Sequence, residues 1–73
     1  MDSDLALDRL EQAVRRVAET QALIVRQKAL IDQLKRDGQS VLVKRAWLML
    51  RCLEREQAEQ IAERDRFREQ VGL

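Results

Sequence analysis

The sequence predicts an all-α protein, an antiparallel helical hairpin of two long helices, and three observations carry that expectation. The 73-residue chain contains no proline, so no residue in it is obliged to break a helix. Apolar residues recur at helical spacing on both sides of the midpoint. At the midpoint itself stands Asp37-Gly38-Gln39-Ser40, a run of residues that favour turns. The whole chain, 1–73, therefore reads as one domain: a helix over 4–36, a turn over 37–40 and a helix over 41–70.

In the first helix Ala6/Leu7, Leu10, Ala13/Val14, Val17, Ile24, Ile31 and Leu34 follow a heptad pattern, with Leu10, Val17, Ile24 and Ile31 at one position of it. Ser3 or Asp2 is the candidate N-cap, and Asp4 and Asp8 suit the positive end of the helix dipole. Lys35 and Arg36 suit the last turn, and Gly38 supplies the left-handed residue that closes a helix. Ser40 is then the candidate cap of the second helix.

The second helix carries Val43, Ala46, Leu50, Leu53, Gln57, Gln60/Ile61, Arg64, Phe67 and Val71 along its inner face, and its second half is the more polar. Folding back at Gly38 pairs Ile31 with Ala46, Ile24 with Leu53, Thr20 with Gln57, Val17 with Gln60/Ile61, and Leu10 with Phe67. Thr20 and Gln57 would form a polar layer that fixes the register of the two helices, the alternative being that this half of the seam is partly hydrated and loosely packed.

Between Val41 and Leu53 only Lys44, Arg45 and Arg51 interrupt the apolar run. At 100° per residue, Leu42, Val43, Ala46, Met49, Leu50 and Leu53 take one broad face, while Val41, Leu48 and Cys52 form a separate stripe with Trp47 at the margin. One facing helix cannot cover both. Leu23 and Leu30 similarly stand to one side of the first helix's seam. Two hairpins packing as a dimeric four-helix bundle resolve the excess, with Leu23, Ile24, Leu30, Ile31, Leu42, Trp47, Leu48, Met49 and Leu50 as candidate interface residues.

The formal net charge of +1 conceals a strong polarity. Residues 26–53 hold seven basic side chains against Asp32 and Asp37, a net of +5, whereas residues 1–25 and 54–73 each carry −2. Lys35, Arg36, Lys44 and Arg45 are the candidate contacts for an anionic partner at the turn end. Glu11/Arg15 and the alternation around Arg55, Arg66 and Arg68 suggest ordinary ion pairing along the arms.

Chemistry is poorly provided for. The chain has no histidine and one cysteine, which excludes an internal disulfide, a Cys/His metal cluster and the commonest general base. Cys52 reads as a small packed residue, Ser3 and Ser40 as caps, and Glu56, Glu59 and Glu63 as a solvated stripe, not a metal site. No cofactor is expected. Met1-Asp2-Ser3-Asp4 lacks the basic-then-apolar order of a secretory leader, and the longest apolar run is far short of a membrane span. A non-enzymatic protein of the cytoplasm is the expectation.

Three segments also carry a resemblance: Ile24-x-x-Gln27-x-x-Leu30-Ile31-x-x-Leu34-x-x-x-Gly38, then Ala46-x-x-Met49-Leu50-x-x-Leu53-Glu54, then Arg64-Asp65-Arg66-Phe67. Between Ala18 and Phe67 the chain resembles short coiled-coil hairpin proteins of rhizobia and related alphaproteobacteria, functionally uncharacterised bacterial proteins. Gln39 and Gln60 stand where that pattern has histidines, Leu53 and Phe67 exchange aliphatic and aromatic character, and the stretch after Gly38 is longer. The resemblance implies the hairpin and transfers no catalytic residue. Function is thus expected to lie in protein–protein interaction, as a self-associating homodimer with an interaction or regulatory role. The alternatives are a small nucleic-acid-binding four-helix bundle using its basic turn end, and an adaptor whose Val41/Leu48/Cys52 stripe docks a helix of another protein.

Overall fold

A computed structural model describes residues 2–72. Two helices, α1 (Asp2–Arg36) and α2 (Ser40–Val71), pack against each other as an antiparallel hairpin. The molecule is a rod of 55 × 14 × 14 Å, close to the length of its longer helix at about 1.5 Å per residue.

The inward column of α1 runs Ala6, Leu10, Ala13, Val17, Thr20, Ile24, Gln27, Ile31 and Leu34, buried or half-buried at alternating steps of four and three. In α2 it runs Val43, Ala46, Leu50, Leu53, Gln57, Gln60, Arg64, Phe67 and Val71 by the same rule. Such alternation keeps a single stripe of each helix facing its neighbour. The best-packed part lies near the turn, where Ile24, Ile31, Ala46 and Leu50 form the core and Leu34, Val43 and Leu53 close over it. Leu50 is 1% exposed and Ile31 2%; burying each stabilises the fold by about 1.5–3 kcal/mol. Towards the open end the inner positions of α2 become Gln57, Gln60 and Arg64, and the seam is correspondingly less apolar.

The reversal is a Schellman closure. Gly38 adopts φ 71°, its N–H donates to the Lys35 carbonyl at 3.1 Å, and the Gln39 N–H donates to the Leu34 carbonyl at 3.0 Å. Two carbonyls at the end of α1 thereby find partners without leaving the chain. The entry to α2 departs from the sequence reading. Ser40 is already helical, and Gln39 occupies the capping position with φ −88° and ψ 68° and no side-chain bond to the helix, because the compact turn leaves only three residues between the helices. At the other end α1 includes both Asp2 and Ser3, so neither is its N-cap and that position lies outside the described residues. Gly72, at φ 80°, ends α2 with its N–H directed to the Arg68 and Glu69 carbonyls.

Gly38→Ala should lower stability by about 1 kcal/mol, since an L side chain resists positive φ and a methyl group there would meet no atom within 4 Å. Urea denaturation of the two proteins measures it; equal midpoints would show that the turn does not depend on the left-handed residue.

Candidate functional site

Flanking the seam are two faces of the ribbon, and they differ in chemistry. Leu30, Leu34, Leu42 and Met49 line a groove on one face, floored by Gln27 and Ala46 and bordered by Arg45. Leu23 stands one heptad before Leu30 and extends the same column. Leu23, Leu30, Leu42 and Met49 are each 44–54% exposed, so this apolar surface is continuous and half-covered by the hairpin alone. Single exposed apolar residues need no explanation, but an aligned set marks a contact surface.

The opposite face is mixed. Trp47 sits there with Lys28, Asp32, Lys35 and Glu54 around the edge of Ile31 and Leu50. The Lys35 ammonium lies 5.5 Å from the centre of the indole ring, a cation–π contact worth about 0.5–1 kcal/mol at an exposed site. On the outer side of α2, Lys44, Trp47, Leu48 and Arg51 form a shallow cleft, and Val41 and Leu48 are among the most exposed apolar residues, at 66% and 61%.

The turn gathers positive charge without neutralising it. Among the described residues the ion pairs are Arg64–Asp65 at 3.0 Å and Arg68–Asp65 at 4.0 Å, both near the open end. None of Arg26, Lys28, Lys35, Arg36, Lys44, Arg45 and Arg51 takes part in them, nor does Glu11 with Arg15, because α-helical neighbours on a solvated face gain little from closing. Lys35 and Lys44 border one cleft around Gly38, Gln39, Ser40 and Val43. Arg36 donates to the Gln33 side-chain oxygen at 3.1 Å, and Arg45 lies on the Leu/Met face. The four candidate anion contacts thus ring the end of the rod.

Polar groups tie the helices together at two levels. Gln27 donates from Nε2 to the Ala46 carbonyl at 2.9 Å, pinning α1 to the α2 backbone beside the core. Gln57 donates to Gln21 Oε1 at 2.7 Å. The expected partner, Thr20, is instead 5% exposed within the seam, and the adjacent residue, one step further round α1, takes the hydrogen bond. Gln60 Oε1 is buried with no hydrogen-bond partner, while its Nε2 makes a long 3.5 Å contact with Glu56.

Of the nine interface candidates, Ile24, Ile31 and Leu50 must be corrected. They are 1–3% exposed and their surface is consumed within the hairpin, since heptad positions that face the partner helix cannot also face a second molecule. Leu23, Leu30, Leu42 and Met49 share one face, Trp47 lies on the other, and Leu48 is on the outer side of α2. Cys52, expected to pack, is exposed. Among the described residues no three metal-binding side chains converge, Glu56, Glu59 and Glu63 included, and no helix is long and apolar enough to cross a membrane. The sequence reading missed how the Leu/Met face continues: Arg9, Arg16, Leu23 and Leu30 are spaced by seven on α1, as are Leu42, Met49, Glu56 and Glu63 on α2. That spacing was the available signal.

Comparison with known proteins finds no matching family model, no similar curated protein and no similar solved structure.

Gln60→Leu should raise stability by about 1 kcal/mol, because it removes a buried acceptor that nothing satisfies and adds apolar contact to the thin half of the seam. Thermal unfolding followed by circular dichroism reads the change; a lowered melting temperature would mean that Gln60 is hydrogen-bonded in solution.

Proposed function

We propose that this hairpin is a non-enzymatic interaction module of the cytoplasm that works as a homodimer, two copies joining through the Leu23/Leu30/Leu42/Met49 face into a four-helix bundle. The observation that carries the reading is that aligned, half-exposed face. Surface area supports it. The single chain exposes 5720 Å² for a mass of 8.6 kDa, whereas compact monomers of that mass expose about 4,700 Å². A stable interface takes about 800 Å² from each partner, which would bring the hairpin close to the exposure usual for its size.

Energetically the face is sufficient but not extravagant. Covering the exposed half of each of its four side chains contributes on the order of 1 kcal/mol apiece, doubled by two-fold symmetry. That total is comparable with the cost of immobilising one molecule on another, about 4–15 kcal/mol. A dimer of this kind tolerates no charge in its centre.

Leu30→Glu or Met49→Glu should therefore convert a dimer into a helical monomer, with association weakened at least about a hundredfold, since a buried unpartnered carboxylate costs several kcal/mol. Trp47→Ala, on the opposite face, should leave association within about threefold. Sedimentation equilibrium of the three variants beside the native protein checks both. A native protein that stays monomeric at the highest accessible concentration would remove the reading and favour a helix of a different protein as occupant.

A further inference from the structure

We propose that the two copies lie parallel, turn end beside turn end, and that their combined basic ends take a phosphate-rich polyanion. This rests on the homodimer reading above and deepens it by fixing orientation and partner chemistry.

The argument begins with the order of residues along the joining face. Leu42, Met49, Leu30 and Leu23 occupy the span from about 6 to about 22 Å from the turn, at 1.5 Å per residue, in a rod 55 Å long. Beyond them the same two columns continue as Arg16 and Arg9 on α1 and as Glu56 and Glu63 on α2. A two-fold axis along the rod sets α1 of one copy across from α2 of its twin. Each leucine then meets a leucine or methionine, and Arg9 and Arg16 meet Glu56 and Glu63 at matching heights. An axis across the middle of the rod would lay Leu23 and Leu30 against the charged half instead, leaving apolar surface against arginine and glutamate. An axis across the apolar patch itself would overlap the rods over only about half their length, and so about half the area that a stable interface needs.

The parallel arrangement has a consequence outside the interface. It brings two ends of net charge +5 together, and none of the seven basic side chains at either end has an ion-pair partner among the described residues. Their mutual repulsion opposes association, and screening relieves it over a Debye length of about 8 Å at physiological salt. A polyphosphate chain relieves it more effectively, because it bridges both ends and releases counterions. Polyanion binding and dimerisation are therefore linked, each strengthening the other.

Distance measurement decides the orientation. With Gln70→Cys, an exposed residue near the open end, in a Cys52→Ser background, nitroxide labels should be about 20–30 Å apart in the dimer, as adjoining helices require; a separation of about 40 Å or more, which either antiparallel axis imposes, would overturn the proposal. Sedimentation reads the electrostatics. Association should tighten about tenfold between about 20 and 500 mM sodium chloride, and neutralising Lys35, Arg36, Lys44 and Arg45 to Gln should tighten it at low salt and flatten the dependence. Weakening by salt, or by neutralisation, contradicts parallel ends. At low salt, inorganic polyphosphate, duplex DNA and single-stranded RNA are added in separate arms. A rise in dimer with any of them, lost in the neutralised variant, supports the polyanion and identifies its source; no rise with any overturns it. Native protein that is monomeric without labels or additives sinks the dimer reading itself, whereas a dimer with distant labels sinks only the orientation.

Discussion

The packing of Leu50 against Ile24 and Ile31, with Ala46 beside them, is the constraint on which the rest of the molecule depends. Ala46 is small enough to let the two helices approach, and the Gln27 side chain reaches across that gap to the Ala46 carbonyl. Once these residues are engaged the rotation of each helix about its own axis is fixed, and every flanking column is assigned to a face. Leu23 and Leu30 are exposed because Ile24 and Ile31 are buried. A rotation of α1 by one residue would exchange them and carry Arg26 and Gln33 into the seam in place of Gln27 and Leu34, so the surface is a direct consequence of the core.

The same constraint explains why stability is unevenly distributed. Near the turn, aliphatic side chains meet on both helices, and the Schellman closure at Gly38 holds the ends together. Towards the open end Gln57, Gln60 and Arg64 occupy the positions that face α1. Polar groups at such positions give up burial energy and, where satisfied, restrict register. Gln57 achieves this through Gln21; Gln60 does not, because its acceptor is enclosed where no donor reaches it. The open end is accordingly the part of the rod expected to open first under denaturant or hydrogen exchange.

The hairpin itself was legible from residues alone, for identifiable reasons. Heptad spacing names the inward column in each helix, and a glycine between two long periodic segments locates the reversal. The start of α2 was less legible: Ser40 has the usual capping side chain, yet the turn is shorter than that role requires, and Gln39 takes the position through backbone geometry alone. Interface candidates were read too broadly for a related reason. Sequence periodicity ranks apolar residues by face but does not say how many are satisfied by the first partner helix, so Ile24, Ile31 and Leu50 were counted with residues that remain exposed. The choice of Gln21 over Thr20 as partner of Gln57 turns on a single residue step, finer than periodicity resolves.

Charge and apolar surface make opposite demands on how two such rods would meet. A positive turn half and negative arms favour head against tail when only net charge is considered, as a pair of dipoles would. Apolar contact is short-ranged, and the apolar face occupies only the turn half, so it favours like ends together. The magnitudes decide between them: the +5 ends carry their charge at the periphery, in water, where each pairwise term falls to a fraction of a kcal/mol beyond the Debye length, while covering each half-exposed leucine contributes about 1 kcal/mol irrespective of salt. Charges within the face follow the apolar preference, since Arg16 and Glu63 stand at similar heights on different helices. The peripheral repulsion that is left over becomes a means of control, because its size is set by whatever anions the solution supplies.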